Sequence, residues 1–275
     1  MNVHEEKGIF KATGANVYYE TKGIGEHLLF IHAGIADSRM WDHEFHVLAN
    51  HFCVVRLDLP GYGLSEFVGG NLSYNKMIHE LLHHLRINKV HILGASFGGK
   101  IAIDYYLDHP ESCLSLALLS PAIGGWKDSL FLQQFEKEEE HLLKNGKKEE
   151  TALLNYKTWV LGGREPNAVD PKIKDLVTDM QMQSLTKPEP DAPCVEIEAE
   201  DNITKIKDIK IPVLLINGAY DIQDFRDISK FICKEIPSAQ RLVLPDAGHL
   251  ANLESPERFT EIVLNFFLKN THRSE

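Results

Sequence analysis

The sequence predicts an α/β protein built on a mostly parallel sheet, and three patterns predict it. Short apolar runs of strand length recur through the first 120 residues and again after 210. Helical apolar spacings separate them and supply the crossover connections that parallel strands need. Between 122 and 205 the strand runs stop, charge rises and helical segments take over.

The first two runs, GIFKA (8–12) and NVYYET (16–21), alternate and are parted by a short gap, which predicts an antiparallel hairpin at one edge. HLLFIH (27–32), FCVVRLD (52–58), VHILGA (90–95) and LSLALLS (114–120) are continuously apolar, as strands covered on both faces must be. Residues 74–85 place Met77, Ile78, Leu81, Leu82 and Leu85 on one helical face. A second helix over 98–107 is stopped by Asp108-His109-Pro110. The charged runs EKEEE (136–140) and KNGKKEE (144–150) read as solvated helix faces. KIPVLLING (210–218) and QRLVLPDAGH (240–249) return as strands, and Phe259, Ile262, Val263, Phe266 and Phe267 mark a last helix over 256–268. The expected division is a core of 1–121 and 206–275 with a helical insertion at 122–205.

Composition narrows the function. The 275 residues are 43% hydrophobic and 25% charged, ordinary globular values. A net charge of −11 repels phosphate backbones and anionic lipid, so neither nucleic acid nor membrane is expected as a partner. The start, MNVHEEKGIF, has no basic segment leading into an apolar one, and no run approaches the ~18 apolar residues of a membrane span. Cys53, Cys113, Cys194 and Cys233 lie far apart without CxxC spacing and read as reduced thiols, which suits a cytoplasmic location. No metal cluster or phosphate-cradling loop is evident. Gly61-Tyr62-Gly63 lacks the spacing of a dinucleotide site, so no cofactor is expected.

The chemistry gathers at three places. Gly94-Ala95-Ser96-Phe97-Gly98-Gly99 sits between a buried strand run and a helix, the setting in which a serine rides a strained bend with its hydroxyl exposed. Flanking glycines keep side chains out of the strand–helix contact. A serine needs a base to take its proton. Of 14 histidines, His249 stands out because it follows the last strand run. Asp221 lies just past the preceding strand and can fix the imidazole tautomer, with Asp224 and Asp227 as alternatives deeper in the next helix. An oxyanion then needs aimed N–H donors. The residue after the serine, Phe97, offers one, and the loop His32-Ala33-Gly34-Ile35 offers Gly34.

Together these segments resemble the α/β-hydrolase family over nearly the whole chain. The resemblance rests on HAGI (32–35), Met40-Trp41-Asp42, DLPGYGLS (58–65), GASFGG (94–99), GAYD (218–221), and Gly248-His249 followed by Glu254-Ser255-Pro256 and Phe259. The family usually has His-Gly where this chain has His32-Ala33. The segment WVLGGREP (159–166) with Val169-Asp170-Pro171 is similar to a cap segment of bacterial esterase and enol-lactonase-like members. The resemblance implies an eight-stranded, mostly parallel sheet with helices on both faces and a cap formed by 122–205.

It also implies that Ser96, Asp221 and His249 form a catalytic triad, with Gly34 and Phe97 as oxyanion donors. A serine nucleophile argues against the haloalkane dehalogenases and epoxide hydrolases of this fold, which use aspartate. The expected partner is a small-molecule ester or lactone, small to medium and mostly apolar. Trp126, Phe131, Trp159, Met180 and Met182 are candidates for its pocket wall, with Ile35, Ile222 and Leu250 beside the catalytic loops. Hydrolysis of carbon–carbon bonds in diketone-type ring-fission products, cofactor-free perhydrolysis and a receptor role remain alternatives. Self-association as a homodimer stays open.

Overall fold

The two alternating runs at the start form β1 (Glu5–Ala12) and β2 (Ala15–Lys22), paired antiparallel at the sheet edge. The computed structural model describes residues 5–188, 190, 192–197 and 202–271; the first four residues of the N-terminal segment lie outside them. The continuous apolar runs become β3 (His27–Ile31) and β4 (Cys53–Leu57). After the short β5 (Glu66–Phe67) and β6 (Gly70–Leu72) come β7 (Val90–Ala95) and β8 (Cys113–Leu119). Beyond the small β9 (Cys194–Glu196), β10 (Val213–Gly218) and β11 (Ala239–Leu244) complete the set.

The sheet order is β1-β2-β4-β3-β7-β8-β10-β11, with β5 paired to β2 as a ninth strand. It is mixed: β1, β2 and β5 pair antiparallel, and the strands from β4 to β11 run parallel. Eight of these strands match the sequence expectation. The ninth is two residues long and carries no apolar run to betray it.

Alternation explains why the inner runs are continuous. Leu29 and Ile31 of β3 enter one buried cluster, and Leu28 and Phe30 the other. The first face is covered by α2 (Tyr74–His84), α3 (Phe97–Asp108) and α7 (Gln223–Glu235). The second is covered by α1 (Asp42–Leu48) and α9 (Pro256–Lys269), through Phe45, Leu48, Phe259, Val263 and Phe267. Each such side chain stabilises the fold by about 1.5–3 kcal/mol relative to exposure.

Residues 122–205 hold α4 (Leu130–Lys144), α5 (Lys148–Asn155), a π-helical turn over Tyr156–Leu161 and α6 (Pro171–Leu185). The segment also holds β9, which pairs parallel with β6 in a separate two-stranded sheet. Both strands are short and largely exposed, so a search for buried runs passes over them. β3 neighbours β4 on one side and β7 on the other. The chain order therefore reverses between β3 and β7, and their carboxyl ends open a crevice there.

One buried group stands apart from this crevice. Glu44 of α1 is 1% exposed; Thr260 Oγ1 donates to its Oε1 at 3.3 Å, and Asn252 is the other polar side chain beside the carboxylate. Burial pushes its carboxyl up to about 8. The folded state holds a proton that the unfolded chain releases near pH 4.5. This contribution to stability is present below that pH and is lost as pH rises through about 8. Glu44→Gln is expected to melt at least about 3 °C above the wild type at pH 8.5 and to lose that advantage by about pH 5. Parallel melting curves across that range would contradict the expectation.

Candidate active site

β7 ends at Ala95 and α3 begins at Phe97, so Ser96 alone makes the bend. Its φ of 51° and ψ of −113° form a strained conformation that persists only when the surroundings impose it. The surroundings do so. A Cβ at Gly94 would lie 2.5 Å from Gly98 O, and one at Gly98 would lie 2.4 Å from the carbonyls of Ile31 and His32. Only glycine lets α3 start this close to the sheet. Leu119 O accepts the Ser96 N–H at 2.9 Å, and Ser96 O accepts from Lys100 and Ala122.

Asp221 follows β10 and His249 follows β11, so adjacent parallel strands deliver both to the same rim. His249 Nδ1 lies 2.7 Å from Asp221 Oδ1, which also accepts the Ile222 N–H at 2.8 Å. A carboxylate only accepts, so Nδ1 carries the proton and Nε2 is left as the acceptor. Asp224 instead accepts the Ser129 N–H, and Asp227 pairs with Lys230, which leaves Asp221 as the histidine's partner. Ser96 lines the same cavity as His249, and no hydrogen bond joins their side chains among the described residues.

The histidine loop is held from the 122–205 segment. Trp159 O accepts the His249 N–H at 3.0 Å, and the Trp159 and Phe225 rings lie 4.9 and 4.5 Å from the imidazole. Arg164, 7% exposed in its side chain, donates to Asp246 O, Val160 O and Leu161 O and forms a two-pronged pair with Glu254. Glu254 also accepts the Gly248 N–H at 2.7 Å. The WVLGGREP segment therefore acts as a bracket for His249, a role its spacing alone did not reveal.

Gly34 and Phe97 face each other across the crevice. A Cβ at Gly34 would lie 3.6 Å from Phe97 Cβ. The Phe97 N–H falls in the first helical turn, where no intrahelical acceptor exists. The Gly34 N–H makes no hydrogen bond among the described residues. His32 fixes this loop: its Nδ1 donates to Ala33 O and its Nε2 accepts from Leu59 N–H, both at 2.8 Å. Burial pushes the His32 imidazole down, which keeps it neutral and able to accept. The extra methyl of Ala33 is fully buried in the core and does not enter the crevice.

Ser96, His249, Gly34 and Phe97 line one cavity of about 840 Å³, together with Ile35, Trp126 and Trp159. Ile222 and Leu250 do not line it. Ile222 donates its N–H to Asp221 and packs behind the wall, in one cluster with Leu132, Phe135, Trp159 and Phe225, and Leu250 is fully buried in the core. Phe131 faces outward at 57% exposure. Met180 packs in the core, because on α6 it is the helical face of Gln181, Ser184 and Leu185 that meets the cavity, and Met182 is not on it either.

Sequence reasoning did not single out Phe135, Phe225, Gln181, Asp128, Glu136 or Glu139, which also line the cavity. The cavity is therefore less apolar than expected. Tyr62 lines it too. Burial, reinforced by Glu139 and Glu196, pushes its hydroxyl up to about 12. A second space of about 860 Å³ adjoins and shares Gly34, Tyr62, Phe97 and Ser184.

Comparison with known proteins agrees with this layout. The profile of the alpha/beta hydrolase fold matches residues 26–256. A pimeloyl-[acyl-carrier protein] methyl ester esterase of Nitrosospira multiformis is 26% identical, over 91% of this chain and 98% of its own. A 2-hydroxy-6-oxononadienedioate/2-hydroxy-6-oxononatrienedioate hydrolase of Burkholderia vietnamiensis is 25% identical, over 92% and 91%. The crystal structure of the enol-lactonase from Burkholderia xenovorans LB400 superposes with a TM-score of 0.78 at 20% identity, covering 95% of this chain and all of that one.

Proposed function

The chain belongs to the α/β-hydrolase fold family, and we propose that it hydrolyses a carboxylic ester or lactone through an acyl-enzyme on Ser96. The observation that carries this reading is the 2.7 Å Asp221–His249 hydrogen bond at the wall of a cavity that Ser96 also lines. Relatives named as ester and oxo-acid hydrolases support hydrolytic chemistry.

In the first half-reaction Ser96 Oγ attacks the acyl carbon while His249 Nε2 takes its proton. The carbonyl oxygen becomes an oxyanion that accepts from the Gly34 and Phe97 N–H groups. Asp221 stabilises the imidazolium that forms. Collapse of the intermediate breaks the acyl–oxygen bond, and His249 returns its proton to the leaving alcohol. Water then attacks the acyl-enzyme, giving its proton to the same imidazole; the acid leaves and Ser96 regains its hydrogen. Residues 122–205 serve as a cap that walls the substrate space. No described helix is long and apolar enough to cross a membrane; the free cysteines are what support placing the protein in the cytoplasm.

A screen of alkyl esters, lactones and ring-fission diketones tests the reading. Esters or lactones are expected to give the highest kcat/KM. Turnover of diketones alone would move the assignment to carbon–carbon bond hydrolysis. No turnover in any class would favour a receptor.

A further inference from the structure

The wall of the cavity carries more negative charge than an ester pocket needs. On α4 the residues that meet it are Leu132, Phe135, Glu136, Glu139 and Leu143, one helical stripe. Such a stripe normally holds apolar residues only. Within the EKEEE run, Lys137, Glu138 and Glu140 face solvent, Glu139 is half-buried against the cavity, and Glu136 borders the cavity mouth while still exposed. The expectation of a solvated face holds for four of the five residues and fails at Glu139. Asp128 joins them from the segment before α4. Lys100 is the cationic lining residue, and its Nζ is already bound to Asp104 Oδ2 at 2.8 Å.

A second feature points the same way. Gln181 lines the cavity at 5% exposure, and its side-chain amide makes no hydrogen bond among the described residues. Gln181 is not among the fully buried, unsatisfied polar groups, so its amide reaches the cavity, where it is open to a polar group of a bound molecule. Glu139 is oriented by Asn155 Nδ2, 2.5 Å from its Oε1, and no hydrogen bond reaches its second oxygen among the described residues. Trp126, Phe135, Trp159 and Phe225 present aromatic surface to the same space. Carboxylates, a free amide oxygen and aromatic faces are the groups that attract an N–H cation. Among the described residues no three acidic, histidine or cysteine side chains converge as metal ligands, so the geometry does not suit a divalent ion.

Resting on the hydrolase reading above, we infer that the Ser96 cavity selects esters bearing an ammonium group, held by Glu136, Glu139 and Gln181, and disfavours esters bearing a carboxylate. The ammonium can lie on the acyl or the alcohol side.

The full chain is assayed near neutral pH with matched esters. The acyl arm compares ethyl 6-aminohexanoate, ethyl heptanoate and monoethyl adipate; the alcohol arm compares 2-(dimethylammonio)ethyl acetate with 3-methylbutyl acetate. In at least one arm the cation is expected to exceed its neutral match in kcat/KM by about tenfold or more, and the adipate to fall about tenfold below heptanoate. Raising salt from about 20 to about 300 mM should shrink the preference. The Glu136→Gln/Glu139→Gln double variant should bring the cation-to-neutral ratio to about threefold or less, and Gln181→Leu should lower it. Equal rates within both arms, with neutral esters turned over, would overturn the inference and leave the hydrolase reading standing. A binding measurement separates the opposite case. Tryptophan fluorescence of Ser96→Ala is titrated with hexylammonium and with hexan-1-ol, and the cation is expected to bind about tenfold more tightly. Selective binding without hydrolysis of any ester by the wild type would sink the hydrolase reading alone; equal binding would sink the charge selection.

Discussion

Ser96→Ala is expected to lower kcat on the best ester by at least about 10⁴-fold, with KM little changed. The size follows from the lack of a substitute. The other hydroxyl of a serine lining the cavity, that of Ser184, donates to Gly61 O at 2.9 Å and stands on α6, away from the Gly34 and Phe97 donors. Alanine fills the same bend at φ 51° and inherits its strain, so the melting temperature should stay within about 3 °C of the wild type. Loss of activity with an intact fold is then a chemical effect. A variant retaining a tenth or more of the rate would show that Ser96 is not the nucleophile.

Asp221→Asn should cost about 10³–10⁴-fold in kcat. The carboxylate accepts from His249 Nδ1 and from the Ile222 N–H through Oδ1, and Asn217 Nδ2 lies 3.4 Å from Oδ2. An amide has one accepting oxygen. Whichever way it turns, it places an NH₂ toward a donor or loses its hold on the imidazole. It also removes the negative charge that balances the imidazolium during both proton transfers. Asp224→Asn is the matched control. Its carboxylate accepts from Ser129 N–H and does not touch His249, so it should cost far less. Equal losses in the two variants would indicate general damage to the loop rather than the loss of an orienting partner.

The fold was legible because buried parallel strands write themselves as continuous apolar runs, as in VHILGA and PVLLIN. The bend at Ser96 was legible because glycine is required on both sides of it, where carbonyls approach within van der Waals contact of the missing side chains. The positions of Asp221 and His249 followed from strand ends, since adjacent parallel strands deliver their loops to one rim. What stayed hidden depended on tertiary contacts. β5, β6 and β9 are too short and exposed to carry a pattern. Arg164 clamps a loop 82 residues away, and no local spacing records such a bond. Glu136 and Glu139 looked like solvent-facing charges. Glu136 is indeed exposed, at the cavity mouth, whereas Glu139 is half-buried on the same stripe as Leu132 once α4 is seen against the cavity. Ile222 and Leu250 are next to catalytic loops in sequence, but their side chains pack behind the cavity wall and in the core.

The central claim is that Ser96 is activated by His249 and Asp221. Reaction of the full chain with a fluorophosphonate, followed by intact-mass measurement and peptide mapping, tests it most directly. The expected result is a single adduct on Ser96, formed by the wild type, abolished in Ser96→Ala and slowed strongly in Asp221→Asn. An unlabelled wild type, or an adduct on any other residue, would contradict it.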